Sequence, residues 1–590
     1  MKTKGLGWLL LGAVLVMSLM AATQLGAQEV KNPDTFIVAD IGKVDSLDPA
    51  WAYDDASINK IQNIYEYLIW YDRERTDRFV PRLATEVPSV ENGLISPDGL
   101  TYTFPIRKGV KFHNGETLTP EDVEYSIERA MVQDRDGGPV WMLYEPLLGV
   151  WGSRDDEGNI VVSFEDIDKA VEVEGNNVVF HLQKSYPPFL AILAGGWSSI
   201  VNKKFVVEHG GWPGTAETWK EHNNPAPGKE TLHAIACGTG PFKLERWEPA
   251  VQTIFVRFDD YWREPAKLKR VISKVIEEWT TRKLMLEAGD ADTIYVPGQY
   301  RKVLEGVEEI RIFKDLATLD LAAAFFNFKI NPEGNTDIGS GKLDGNGIPP
   351  DFFSDKNARL AFAHCFDWET YLRDVFFGEA AQPVGPIPVG IAYRNPDQKT
   401  YHFDLKKAEE YFKKAWGGEV WNKGFKFTML YNAGNTQRET AARMIEENVE
   451  SLNPKFKIEV RPVEWANYVR DLVRKKLTLF LIGWVADYPD AHNFVYPFMH
   501  SRGDFSGFQS YKNPIVDEII KRGIDTTDPK KRRALYYELQ IIYYDDVPSV
   551  PLHQMLRRHY ERTWMKGYYF NPVYSSNDVG AYFYPLSKGE

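Results

Sequence analysis

Apolar positions recur with different periods along the chain, and each change of period marks a new element. TFIVAD (35–40) is an apolar run of strand length. A loop, SLDPAWAYDD (46–55), follows it, and then a helical pattern that brings Ile61, Ile64, Tyr65 and Leu68 onto one face. Within 101–131 a strand leads into a His-Asn-Gly turn. Thr119 then fits an N-cap, Pro120 the first helical position and Asp122 the acid of a capping box. Paired strands are expected at 160–183, and GTGPFKLERWEPA (238–250) reads as a Gly/Pro turn feeding another strand. Helical patterns cover 355–378 and 404–417. Beyond them strand and helix alternate: FKFTMLY (425–431), a helix over 436–452, FKIEVRPV (456–463), a helix over 464–476, and a run from Leu477 to Ala486. That last run is apolar or β-branched throughout, which suits a strand covered on both faces. The alternation predicts an α/β fold with a substantially parallel sheet. With 590 residues, two or more lobes are expected. The Gly-rich stretch 331–350 predicts a surface loop.

The buried run ends abruptly in Asp487, Tyr488, Pro489 and Asp490. In open α/β sheets ligands bind beyond the carboxyl ends of strands. An acid at that place can point into a cleft without interrupting the ladder. The alternative is a structural acid that caps the following turn, where Asp is common.

Composition narrows the function. The net charge of −13 argues against nucleic acid, whose phosphates demand Lys/Arg patches. Aromatic residues make up 14% of the chain, an excess that suits large cores or a surface that stacks on ligands. The first 27 residues carry two lysines, an uncharged apolar stretch from Gly5 to about Ala22 and a small-residue end at Ala27, the pattern of a secretory signal peptide. The alternative is a retained membrane anchor. No Cys lies near the cut, so a lipoprotein is not expected. The two cysteines, Cys237 and Cys365, are either paired, as an exported protein permits, or buried free thiols.

Catalytic patterns are missing. The sequence has no HExxH, GxSxG, phosphate loop or CxxC. GGWSS (195–199) is only a loose likeness to a nucleophile elbow, and RDDEGN (154–159) lacks the spacing of an EF-hand. His492 and His500 are close enough in sequence to share a metal, but isolated loop histidines are ordinarily just exposed. An exported hydrolase would need a nucleophile–base pair or a metal set, and neither is present. No catalytic residue, cofactor or metal is expected.

Six segments in order resemble one family: SLDP (46–49), FPIRKGVKFHNGETLTPEDVEYSIERA (104–130), GTGPF (238–242), NARLAFAHCFDWE (357–369), PVGPIP (383–388) and GWVADYPDAHNF (483–494). The chain resembles the large extracytoplasmic solute-binding proteins of ABC importers that take oligopeptides, dipeptides, nickel or oligosaccharides. Cys237, Ala491-His492 and the 331–350 loop depart from the pattern. The resemblance implies a two-lobed periplasmic-binding-protein-like α/β fold that closes about a hinge. After the signal (1–27), the first lobe would comprise 28–79, 199–320 and 550–590, with an extra domain inserted at 80–198 and a second lobe at 321–549. VPSVPLH (547–553) suits the return crossing, stiffened by its prolines. The resemblance further implies that Asp487, after Gly483 and Trp484, pairs with a peptide's α-ammonium group. The peptide backbone would run between Trp484, Val485 and Ala486 on one side and Tyr53, Asp54 and Asp55 on the other. Arg438, and secondarily Arg502, are candidates for the peptide's carboxylate, and Trp51 and Trp484 for aromatic contacts.

Three ligand classes compete: peptides, oligosaccharides stacked on tryptophan, and metal chelates. Asp54 and Asp55 add negative charge beside Asp487 and favour a cationic amine; the scattered histidines weigh against a chelate. The expected partners are the peptide and an inner-membrane permease with its ATPase subunits, met by a monomer outside the cytoplasm.

Overall fold

The computed structural model describes residues 30–155, 157–573 and 580–589. The expected signal peptide, 1–27, lies outside the described residues. A ten-stranded sheet runs through the molecule. In its first half Thr35–Asp40 lies parallel between Arg270–Val275 and Thr293–Ile294. Gln252–Arg257 and Phe242–Glu248 continue the sheet antiparallel to its edge. In its second half Leu479–Val485 is the edge strand, paired antiparallel with Asp320–Phe326. One strand of 14 residues, Ser549–Arg562, joins the halves. It pairs with Asp320–Phe326 through Ser549–His553 and with Ile310–Ala317 through Leu556–Arg562.

The expected mainly parallel sheet is therefore corrected to a mixed one. Among the described residues, parallel pairing is confined to Thr35–Asp40 with its neighbours and to a separate pair, Phe425–Asn432 with Phe456–Val463. Strand–helix alternation reports elements, but the strands that link the halves come from distant segments and meet antiparallel.

Two cores flank the second half of the sheet, one built on Phe326, Phe353, Phe362 and Phe425 and the other on Phe325, Phe480, Phe498 and Tyr536. A larger core underlies 36–271 and includes a three-stranded sheet of Thr101–Pro105, Asn177–His181 and Val171–Glu174.

Local signals set several elements as expected. Thr119 N–H and Oγ1 donate to Asp122 Oδ2 at 3.0 and 3.2 Å at the start of the Pro120–Gln133 helix. The 436–452 helix appears as Thr436–Leu452. Other expectations are corrected. The helix after the SLDP loop is Asp55–Ile64; Tyr65 is already extended, so Leu68 is not on its face. The 355–378 pattern is two helices, Lys356–His364 and Trp368–Asp374, because Asp367 leaves the helix to cap the second. The 404–417 helix stops at Phe412, and Trp416 and Gly417 take positive φ. The 160–183 segment opens with a short helix, Phe164–Asp168, before its hairpin. Cys237 and Cys365 are both buried and unpaired, and burial pushes the Cys237 thiol up to about 11.

Several segments that carried the family resemblance are architecture. Asp48 of SLDP is fully buried and bonds Arg129 through both carboxylate oxygens, and it also accepts the backbone N–H of Ala50. Gly240 of GTGPF lies against the end of the Asp55–Ile64 helix; a Cβ there would sit 2.6 Å from the Ile64 carbonyl oxygen, so only glycine fits.

Candidate ligand-binding cleft

The Leu479–Val485 strand is covered on both faces only as far as Ile482. Gly483 is exposed, Trp484 half-buried and Val485 65% exposed, so the expected two-sided burial of the whole run is corrected: its last turn forms the wall of a cleft. The ladder determines what this wall offers. Ala486 N–H donates to the Leu319 carbonyl at 2.8 Å, in register with the pairing of Val485 to Asp320. Backbone groups of alternate residues then point to the free edge, those of Leu481, Gly483 and Val485. Tyr468 Oη satisfies both outward groups of Leu481, at 2.9 and 3.1 Å. The outward groups of Gly483 and Val485 face the cleft.

Asp487 stands at the end of this edge, half-buried. Tyr53 Oη donates to its Oδ1, and Asn493 Nδ2 to its Oδ2 at 3.2 Å. Asn493, on the His492–Met499 helix, also accepts from the Asp487 N–H at 3.1 Å and the Trp484 indole N–H at 2.9 Å. One amide thus orients the acid and the neighbouring indole together. Burial raises the pKa of Asp487, and the hydrogen bonds from Tyr53 and Asn493 only partly offset it. Behind it the Tyr-Pro-Asp turn is clamped by Asp490, which is buried and holds Arg532 through two bonds of 2.7 and 2.8 Å. Burial opposes ionisation of Asp490, but the guanidinium outweighs it and the pKa is lowered.

Three cavities meet along this edge. One of about 270 Å³ lies between Val485–Asp487 and Tyr53–Asp55, floored by Asn59, Trp70 and Trp197. A second, about 280 Å³, opens on the other side of Tyr53 and Asp487 towards Trp141, Trp151 and Tyr496. A third, about 340 Å³, runs along Gly483–Val485 to Arg438, Tyr371 and His553.

Of the residues singled out in the sequence, Tyr53, Asp54, Asp55, Val485, Ala486 and Asp487 line the first cavity, Trp484 the second and third, and Arg438 the third. Asp54 is also the N-cap of the Asp55–Ile64 helix, accepting from Ser57 N–H at 2.9 Å; its other oxygen is buried without a partner, and burial raises its pKa. Arg438 donates to Asn432 at 2.7 Å and has no carboxylate partner among the described residues. Burial lowers its pKa, so its charge is costly where it stands until an anion arrives. Trp51 is not brought to the cleft. It is 6% exposed, bonds Asp45 through its indole and lies under the Arg135 guanidinium. Arg502 is exposed and lines none of these cavities. His492 is not an exposed loop residue; it is helical and buried, which pushes its pKa down to about 3. No group of three His, Cys, Asp or Glu suited to a metal occurs among the described residues.

Sequence reasoning missed Asn493, Trp197, Trp141, Trp151 and Glu145. The GGWSS segment gave one usable signal. Gly196 packs where a Cβ would lie 2.5 Å from Ile58, and this lets Trp197 stand edge-on to Tyr53 at 6.5 Å.

Residues 78–506 match the family described as bacterial extracellular solute-binding proteins, family 5, middle region. The chain belongs to this family. Its members are solute binders and not enzymes. Heme-binding protein A of Haemophilus influenzae is 24% identical over 530 residues, covering 88% of this chain and 87% of that protein. The dipeptide-binding protein DppE of Bacillus subtilis is 23% identical over 542 residues, covering 90% and 88%. Among solved structures, the periplasmic binding protein DppA of Helicobacter pylori in complex with the peptide STSA aligns with a TM-score of 0.66 at 24% identity, covering 94% of this chain and 98% of that one. At such identity the likeness establishes the shared fold. No helix among the described residues is long and apolar enough to cross a membrane.

Proposed function

We propose that the protein is the substrate-capturing component of an ABC importer and that its substrates are peptides, held in the cleft by closure of two lobes about a hinge. The observation that carries this reading is the edge of the Leu479–Val485 strand, whose free backbone groups at Gly483 and Val485 lead directly to the carboxylate of Asp487. An extended peptide adds to such an edge as a further strand, which gives affinity without reading side chains. Asp487 then takes the α-ammonium group, a charge-assisted bond worth about 1.5–3 kcal/mol. Arg438, further along the same edge, takes the free carboxylate.

Peptide-binding relatives support this choice over an oligosaccharide. So does the pairing of an acid and an unmatched guanidinium at opposite ends of an open ladder. Heme-binding protein A shows that related chains are also named for other cargo. On this reading the signal peptide directs the chain out of the cytoplasm without a lipid anchor, and it acts as a monomer that delivers its ligand to a permease driven by ATPase subunits. The lobes would be 28–79, 199–320 and 550–590 against 321–549, with 80–198 inserted in the first.

The test is isothermal titration of the mature protein with tri- to pentapeptides, cello- and malto-oligosaccharides and heme. Saturable binding of peptides alone supports the proposal. Binding of sugars or heme with no peptide binding overturns it.

A further inference from the structure

The second cavity is unlike the rest of the cleft. Its walls are aromatic: Trp141 and Trp151, with ring centres 5.4 Å apart and planes at 35°, face Trp484 and Tyr496 across about 280 Å³. Trp151 is 61% exposed, a large apolar surface left open to water at the cavity mouth. Three carboxylates share the same walls, Asp487, Glu145 and Asp504, and no lysine or arginine lines them. Glu145 accepts from Tyr186 Oη at 2.9 Å and is matched from outside by Lys184 at 3.3 Å. Asp504 has no basic partner within ion-pair distance among the described residues, and burial raises its pKa. His492 also lines the cavity; its side chain is only 7% exposed, and its Nδ1 is buried without a hydrogen-bond partner. Burial keeps this imidazole neutral, so it adds no positive charge to the walls.

Anionic groups and aromatic faces favour the same kind of guest. A cation gains from each of them, through ion pairing, hydrogen bonding and attraction to the ring faces. An apolar side chain would use the rings but leave the carboxylates to lose water unpaired. An acidic side chain would meet only repulsion.

We propose that this cavity is a subsite for a cationic side chain, so that the protein prefers peptides with lysine or arginine in one of their first two residues. The inference rests on the peptide reading above, because Asp487 belongs to both cavities and the side chain nearest the amine it holds is the one that reaches Trp141 and Trp151.

The experiment is calorimetric titration of the full mature chain with Lys-Ala-Ala and Ala-Lys-Ala, the same peptides with norleucine or glutamate in place of lysine, and trialanine. Lysine should bind about tenfold tighter than norleucine at one of the two positions, and glutamate most weakly. Asp504→Asn should narrow the lysine-to-norleucine ratio to about threefold or less. Norleucine binding as tightly as lysine at both positions overturns the subsite while leaving the peptide reading intact. A lysine preference that Asp504→Asn does not narrow removes it from this cavity. If trialanine and every other tripeptide fail to bind, the peptide reading falls and the subsite with it.

Discussion

Asp487 is the residue proposed to hold the peptide's amine, and its electrostatics separate binding from stability. Its pKa in the folded protein is raised by burial above the ordinary 3.8. An acid with a raised folded pKa binds its proton more tightly in the native state, so it lowers stability as pH rises between 3.8 and the folded value, and the cost persists above it. Asp487→Asn should therefore leave the melting temperature of the free protein at pH 7 unchanged or raised, while peptide affinity falls about tenfold to a hundredfold. Calorimetry and thermal melting of the same preparation check both halves. In the wild type, affinity should weaken as the pH falls through the raised pKa of this carboxylate, because the ammonium group needs it ionised. Asp487→Asn should flatten that dependence. This acid was legible in the sequence because a buried run ending in Asp is a local pattern. Asn493, which orients it, and Trp197, which faces Tyr53, were not. Their roles depend on contacts between distant segments, and only the glycine before Trp197 leaves a local sign.

At the level of elements, on the proposed reading the free edge at Gly483 and Val485 sets the register of the ligand. From Asp487 back to Gly483 is four residues, about 13 Å, near the span of an extended peptide of about four residues. Arg438→Gln should therefore weaken tetrapeptides with a free carboxylate about tenfold and leave their C-terminal amides unchanged. Dipeptides, too short to reach both ends, should be indifferent to it; titration of the three ligand sets decides. The turn that presents Asp487 depends on the Asp490–Arg532 pair. Asp490→Ala leaves a guanidinium buried without its partner, which should cost about 3–5 kcal/mol in denaturant unfolding. Capping residues and helical periods were read correctly where the signal is local, as at Thr119 and over Thr436–Leu452. The antiparallel pairing of the linking strands was not readable, because it is settled by which distant segments meet.

Closure belongs to the molecule as a whole. In this structure the two sides of the cleft already touch: Tyr53 donates to Asp487, Tyr186 and Tyr488 hydroxyls lie 3.1 Å apart, and Thr76 Oγ1 donates to the Gly390 carbonyl at 2.6 Å. These contacts cross between halves that one continuous strand, Ser549–Arg562, joins. On the proposed reading the protein exchanges between open and closed forms, and a ligand that bridges the cleft shifts the balance. Saturating peptide should reduce the radius of gyration in solution scattering, and at 100 times its dissociation constant it should add about 2.7 kcal/mol of apparent stability. Thr76 lines none of the three cavities, so Thr76→Val removes one cross-cleft bond without touching the ligand. If closure is part of binding, affinity should drop about two- to fivefold through the fraction of molecules able to close, with the loss in the dissociation rate. Stopped-flow measurements on the variant distinguish this from a rigid cleft. A rigid cleft would show wild-type rates, because the bond broken lies outside the place where the peptide sits.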